Sequence, residues 1–544
     1  MSRQHCPKSG PTLRAGLAIG TIPPLPKRKS AFMRTINKFF VLFSALTTLL
    51  TVGCNEDEFL NYQPQGRYSV ENFFQTEEQA LGAVNGAYVQ LRELYNVALY
   101  RTVEMRSDNT TFIPNPNDRG SLAVEEIDYF ALTASSGIHG NIWGPAYRGI
   151  SKTNYILELI DPIPFSDEAD KVAIKGQAAF LRAFYYYILT QTFGDVVPVT
   201  NIIESEDQAA EILALRRAPR EEIISQIIIP DLELAINSLP EVWGNIDRGR
   251  ATRAAAQMLL AKVYFADRNY TAAIPLLQAI IDSGLYSIEP NFRDVFGPGN
   301  QESTEIIFAN QFSVAASQGA GFFINWLPYQ SGQTLTQGIF VSPSAASKNM
   351  PTKDLIAAFE PNDRRFAGSI GYYDEDPNDP DNELIAYSTK YFFPPVTQGG
   401  SDQNYPVFRY ADVILMQAEA LLETEGGIPN QVFEYVNLIR TRAGLPLYFP
   451  GNPVPELDIS TEEDLRQAIR RERRVELAFE NHRWWDLQRY GNLLEVMTAH
   501  GAEQRACQDY LDPFADAYQN IRILYAIPFN EVERYGYTQN PGWE

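Results

Sequence analysis

Residues 255–264 read AAQMLLAKVY and, after a turn through Asp267, Arg268 and Asn269, residues 270–281 read YTAAIPLLQAII. Apolar residues three and four apart mark both runs as amphipathic helices, and the polar turn folds the second back on the first. Ala261, Ala272 and Ala273 remove bulk where the helices approach, with Tyr264 and Tyr270 expected to pack at the bend. This is the pattern of a tetratricopeptide-like hairpin, one unit of a stack whose members bury their apolar faces on each other. A second pair spans residues 412–424 and 431–442.

The same spacing recurs near residues 77–95, 145–160, 168–192, 219–239, 252–266, 270–283, 410–424, 430–443 and 462–490. The expected fold is therefore mainly α, a tetratricopeptide-like helical hairpin scaffold with long irregular loops and minor β-hairpins. Residues 67–544 form one domain in this reading, with helical repeats within 67–283 and 406–490. Between about 284 and 405 the periodicity fails, and Gly, Pro, Asn, Ser and aromatic residues dominate. So long a stretch is no passive connector and is expected to carry the function. A polar insert at residues 106–120 interrupts the first helical region in the same manner.

Composition excludes several classes of function. At 544 residues, 45% hydrophobic and 12% aromatic, the chain has ample material for a core. Its 45 basic and 67 acidic residues give a net charge of −22, which repels phosphate backbones, so nucleic acid is not an expected partner. Three cysteines and four histidines leave little for a disulfide framework or a zinc cluster, and His139, His482 and His500 stand apart. Cys507 reads as a small apolar filler.

Residues 1–53 contain eight basic residues and no acidic one, so the chain from Cys54 onward carries 37 basic and 67 acidic residues, a formal −30. Residues 39–52 form an apolar run too short to span a bilayer but suited to a signal-peptide core, with Met33 the expected true start. Residues 50–54, LTVGC, resemble the lipobox of bacterial lipoproteins, although Leu50 stands one position early and Thr51 occupies its usual place. The resemblance implies lipidation at Cys54 and a membrane anchor. Residues 54–66 are an acidic tether whose Asn55, Glu56, Asp57 and Glu58 look like the export tag of Bacteroidota lipoproteins. That implies the cell outer membrane, with the protein facing the exterior.

Glu472, Glu476 and Glu480 recur every four residues, and glycosidases use paired carboxylates about 5–9.5 Å apart. Arg473, Arg474 and Arg483 lie close enough to keep such carboxylates ionised, whereas a general acid needs a raised pKa. No catalytic residue is expected there. Asp374, Asp376, Asn378, Asp379, Asp381 and Glu383 form an acidic loop with calcium-type ligands but none of the glycine and glutamate positions of an EF-hand, so a solvated loop and no cofactor are expected. Sugars stack on aromatic faces and hydrogen-bond through their rims, which turns attention to Phe322, Phe323, Asn325, Trp326, Tyr329 and Gln330. Asp108, Asn109, Asn115 and Arg119 are the expected polar fingers if the fold joins the two loops.

Residues 176–187, GQAAFLRAFYYY, followed by FGDVVP at 193–198, read as a buried helix closed by Gly194 and Pro198. They resemble the most recognisable helix of the starch-utilisation lipoproteins, the SusD/RagB family. The likeness continues in order through Gly249–Arg250–Ala251–Thr252, Arg364 and Arg365 after Asp363, and Arg409–Tyr410–Ala411–Asp412 leading to Ala418, Glu419 and Ala420. It runs on through Asn437, Arg440, Arg442, Ala443 and Gly444, then residues 471–480 with His482, Arg483, Trp484, Trp485, Asp486, Leu487 and Arg489. It closes with Ile527, Pro528, Glu531 and Gln539–Asn540–Pro541–Gly542. The resemblance implies four hairpins forming a scaffold that faces a SusC-like TonB-dependent transporter, and a glycan site built from loops. The expected function is capture and delivery of an oligo- or polysaccharide without catalysis. The alternatives are a lipid-anchored glycoside hydrolase or lyase and a peptide-binding or protein-interaction scaffold of the RagB type.

Overall fold

The computed structural model describes residues 74–115, 119, 122–202, 205–300, 303–339, 346–378, 383–394, 396–398 and 400–544. The leader, Met33, Cys54 and the acidic tether lie outside the described residues, as do Asp379 and Asp381 of the acidic loop. Among the described residues no helix is long and apolar enough to cross a membrane.

Nine helices form the scaffold: α1 (Glu77–Glu93), α2 (Gly140–Leu159), α3 (Glu168–Phe193), α4 (Ile229–Ser238), α5 (Arg253–Ala266), α6 (Tyr270–Asp282), α7 (Tyr410–Glu425), α8 (Asn430–Ala443) and α9 (Glu462–Glu476). Each packs on its successor, and α6 packs on α7 although residues 283–409 separate them in sequence. The stack is therefore continuous where the chain is not. Polar side chains close the exposed N–H groups at several starts: Thr76, Asp167, Thr252, Asn269 and Thr461 each accept from the first turn of the helix they precede. At the α5–α6 bend Phe265, and not Tyr264, meets Tyr270, with ring centroids 5.0 Å apart. The expected tyrosine pair is replaced because Phe265 is the residue turned inward.

Helix α3 is the spine. It is buried nearly throughout its second half, Gly194 closes it at φ 73°, and Arg182 donates to both carboxylate oxygens of Asp231 on α4 at 2.7 Å. Gly149 of α2 lies directly against Tyr185 of α3: a Cβ there would meet the ring at 2.3 Å, while the Tyr185 hydroxyl donates to the Ala87 carbonyl of α1 at 2.6 Å. Three helices are thus locked at one point.

The region expected to be irregular is only partly so. Short strands β1 (Thr110–Thr111), β2 (Ile306–Asn310), β3 (Met350–Pro351), β4 (Ile370–Tyr373), β5 (Ile385–Ser388) and β6 (Tyr405–Arg409) form three antiparallel pairs, β1 with β3, β2 with β6 and β4 with β5. Phe308 of β2 and Phe408 of β6 pack on Phe180 and Phe184 of α3, so this region contributes to the core. Its many aromatics obscure any helical period because they alternate between short strands and turns.

Replacing Gly149 by Ala gains up to about 1 kcal/mol of helix propensity. Overpacking against the fixed Tyr185 ring costs about 1–3 kcal/mol. Gly149→Ala is expected to lower stability on balance, read as a lower midpoint in urea or thermal unfolding.

Candidate functional site

Residues 462–490 do not form one helix. α9 ends at Glu476, Phe479 (φ 67°) and Asn481 (φ 64°) turn the chain through left-handed backbone, and a short helix, α10 (Arg483–Tyr490), follows. The turn is stabilised from outside: the buried Glu104 carboxylate accepts the Phe479 and Asn481 N–H groups, both at 2.8 Å. Burial raises Glu104 to about 7 against these hydrogen bonds.

The three glutamates nevertheless converge. Arg409 donates to Glu476 at 2.6 Å, to Glu480 at 2.7 Å and to Glu305 at 2.8 Å; Arg365 donates to Glu472 at 2.8 Å; Arg440 bridges Glu472 and Glu360, both at 2.6 Å. Lys390 donates to Glu480 and Arg442 to Glu476. The cations expected for this task serve elsewhere: Arg473 pairs with Asp412 and Asp486, and Arg474 and Arg483 pair with Asp108. Burial pushes Glu476 and Glu480 upward, but the surrounding arginines outweigh it and hold both carboxyls below their ordinary values. These groups are structural ion pairs, the opposite of a poised general acid.

The two loops are linked through a third segment, residues 347–352. β1–β3 pairing brings the polar insert to residues 350–352, and Thr352 donates from its N–H to the Asn109 carbonyl at 3.0 Å and from its hydroxyl to the Asp108 carbonyl at 2.8 Å. Their side chains are spoken for, however. Asp108 binds Arg483 in two hydrogen bonds of 2.8 and 2.7 Å; Asn109 is held by Arg474 at 2.9 Å; Arg119 pairs with Glu125 and covers the Tyr510 and Phe514 rings. None of the three is the free polar finger that its residue type suggests. Trp326 is 1% exposed, wedged among Tyr100, Phe322 and Tyr391 at centroid distances of 5.3–5.6 Å, and Phe323 is buried against Phe322 and Phe392. Both rings are core because the large aromatics of this loop fill the gap between α1 and the strands. Cys507 is exposed at a helix end and fills nothing. Among the described residues no three His, Cys, Asp or Glu side chains are grouped to hold a metal. In the acidic loop Asp376 instead accepts from the N–H and amide of Asn378.

What stays accessible in the loop is Asn325, Tyr329 and Gln330. Residues 325–327 are zipped to residues 347–348: Lys348 N–H donates to the Asn325 carbonyl at 2.9 Å, Ser347 N–H to the Leu327 carbonyl at 2.9 Å, and the Ser347 hydroxyl accepts from Tyr329 N–H at 2.7 Å. The zipper sets Lys348 beside Asn325, with Nζ 3.2 Å from Oδ1, and the Tyr329 hydroxyl near Glu375. Behind it, α1 passes through a π-helical turn at Leu94–Ala98 that packs on the Phe322–Trp326 turn, and Asn96 accepts the Gly321 N–H. Arg101, on the helical turn that follows, donates to the Tyr100 hydroxyl at 3.0 Å. A half-buried ring beside amide and cationic donors can stack on an apolar face and hydrogen-bond its rim. Arg101 and Lys348 escaped sequence reading because nothing local marks a pairing across more than twenty residues.

Two grooves of 760 and 420 Å³ flank residues 245–250 and share Arg248, Arg250 and Gln311. Their polar groups are largely engaged with one another: Trp243 Nε1 donates to the Ala251 carbonyl, Arg250 binds Asp247 and Asn85, and Asn404 donates to Gln311. The loop patch is the less committed surface.

A stack of paired helices that fastens a loop-built patch by buried ion pairs defines a helical-repeat binding protein. Residues 386–543 match the family model described as "SusD family" and residues 58–265 that described as "Starch-binding associating with outer membrane". The chain belongs to the SusD family. SusD-like protein P25 of Formosa agariphila is 29% identical over 524 residues, covering 88% of this chain and 93% of that protein. In fold the chain is similar to a laminarin binding SusD-like protein, at TM-score 0.69 and 23% identity over 86% of this chain and all of that one. It is likewise similar to surface glycan-binding protein A of Bacteroides thetaiotaomicron, solved with laminarihexaose, at TM-score 0.67 and 19% identity with the same coverage.

Two outcomes follow from this geometry. Trp326→Ala leaves a core cavity and is expected to cost about 3–5 kcal/mol of stability, whereas Tyr329→Ala, at the surface, is expected to change it by about 0.5 kcal/mol or less; urea unfolding of both variants separates them. The second concerns pH. Glu476, Glu480, Asp412 and Asp486 (held to about 2 by Arg473 and Arg489 against burial) sit below their unfolded values, so their stabilisation is present above those values and lost as pH falls through the folded ones. Buried His139, His482 and His500, lowered to about 4, act in the same sense below 6.5. Glu104 and Asp128, raised to about 7 by burial, act oppositely as pH falls from there. Unfolding free energy is therefore expected to vary little from pH 7 to about 5 and to fall steeply below about pH 4.

Proposed function

We infer that this chain is a non-catalytic lipoprotein of the outer membrane, anchored at Cys54 and facing the exterior, that captures a glycan and passes it to a SusC-like TonB-dependent transporter. The observation that carries the reading is the accessible Asn325, Tyr329 and Gln330 loop, zipped to Ser347 and Lys348 on the helical scaffold of a SusD family member. The laminarin binding SusD-like protein and the surface glycan-binding protein A, both alike in fold, support the class of ligand. Absence of catalysis is supported by the glutamates that might have served as acid and base, which are spent on buried arginines. Hand-over suits such a site, since a few stacking and rim contacts give modest affinity and rapid release.

The test is affinity gel electrophoresis of the mature chain against a polysaccharide panel, with a reducing-end assay on the same mixtures. Retardation by at least one glycan without new reducing ends is expected, and Tyr329→Ala is expected to weaken it several-fold. New reducing ends would favour the hydrolase or lyase reading. Retention of peptides with no saccharide bound would favour the peptide scaffold.

A further inference from the structure

We propose that Arg101 and Lys348 form an anion subsite beside Tyr329, and that the polymer taken here bears acidic groups, carboxylate or sulfate, along its chain. This rests on the glycan reading and narrows it.

Most other inward cations of the molecule are compensated, Arg470 being an exception that only stacks on Tyr490. Arg365, Arg409, Arg440, Arg473 and Arg489 each meet carboxylates. Arg106 and Arg293, which lack one, donate to main-chain carbonyls instead. Arg101 and Lys348 follow neither pattern. Among the described residues Lys348 Nζ donates only to the neutral Asn325 Oδ1, and Arg101 only to the neutral Tyr100 hydroxyl, through Nε, with its guanidinium 5.6 Å from the Tyr100 ring centroid; neither meets a carboxylate. Glu375, the carboxylate near this patch, is engaged with the Tyr329 hydroxyl.

The two cations are also held in place. Lys348 stands between two non-glycine residues in left-handed backbone, Ser347 (φ 47°) and Asn349 (φ 57°), and its own N–H is tied to Asn325. Such conformations persist only where the surroundings fix them. Arg101 is attached to Tyr100, whose ring packs on Trp326 at 5.4 Å, and Trp326 adjoins Asn325. Arg101 is thereby held on the Tyr100–Trp326 pair, and Lys348 on Asn325, the residue before Trp326. Burial, and then the charge of Arg101, lower Lys348 to about 8. An acidic group seated between the two would relieve both effects, and in a half-buried setting charge-assisted hydrogen bonds gain more than on open surface.

The overall charge sharpens the point. The net charge of −22 opposes polyanions at long range, as it does nucleic acid, so capture of an acidic glycan here depends on the short-range charge of Arg101 and Lys348.

The experiment measures retention of the full mature chain in native gels containing alginate, carrageenan, their carboxyl-reduced and desulfated forms, and laminarin as a neutral polymer. Stronger retention by a charged polymer than by its stripped form is expected, with alginate or carrageenan identifying carboxylate or sulfate as the group bound. Lys348→Met and Arg101→Gln are expected to weaken it by about tenfold or more, Lys348→Arg to preserve it, and Lys152→Met, an exposed lysine on α2, to leave it unchanged. Circular dichroism and urea midpoints of each variant confirm that it is folded. Equal retention of charged and stripped polymers, or a folded Lys348→Met that binds as the parent does, overturns the anion subsite while glycan capture stands. Failure to retain any saccharide overturns the glycan reading itself.

Discussion

Glu476 is the point from which the rest of the molecule hangs. Its carboxylate takes hydrogen bonds from Arg409 on β6, Arg442 on α8 and Arg365 after Asp363, while Glu472 and Glu480 to either side bind Arg440, Arg409 and Lys390. Segments from five parts of the sequence are joined there, away from water. Removing one partner from such a group strands the others without compensation, at a cost of about 3–5 kcal/mol, so the set stands or falls together. The entropy of ordering the long stretch between α6 and α7 is offset largely at this centre and in the aromatic cluster around Phe184, Phe308 and Phe408.

The recognition patch inherits its rigidity from that centre in steps. Glu104 grips the turn after α9 and also the amide of Asn109; Asn109 and Asp108 fix Thr352; β3, immediately before Thr352, is in turn preceded by Lys348 and Asn349. From the other side the π-helical turn of α1 meets the Phe322–Trp326 turn. The proposed patch is thereby set by groups that lie outside it, which is what positioning to a fraction of an ångström requires.

Much of the helical stack was legible in sequence, because a 3.6-residue period is local information. All nine periodic segments are helical, and the hairpin at 255–281 folds as its turn residues demand. The exceptions have local causes: Phe479 and Asn481 leave helical backbone because Glu104, distant in sequence, supplies the acceptors they need. For the candidate site, sequence reading named a loop and could not separate its buried residues from its accessible ones. Tyr329, Asn325 and Gln330 remain accessible, but Trp326 and Phe323 look the same in sequence whether they stack on a sugar or on Tyr391. Polar residues posed the same problem, for the side chain of Asp108 is a finger or a structural anchor depending on where Arg483 lies. Lys348 carried no signal at all, since its place is set by hydrogen bonds to Asn325, distant in sequence.

The division of labour between the buried ion-pair centre and the 325–348 zipper has an evolutionary consequence. Side chains that decide whether the polypeptide adopts its architecture point inward and are mutually dependent, so almost any single change among them is lethal to the whole. In the proposed patch, Tyr329 and Lys348 are held through their own N–H groups, by the Ser347 hydroxyl and the Asn325 carbonyl, which leaves their side chains free to vary. Selection is thus free to rewrite the menu of such a receptor while leaving its chassis untouched.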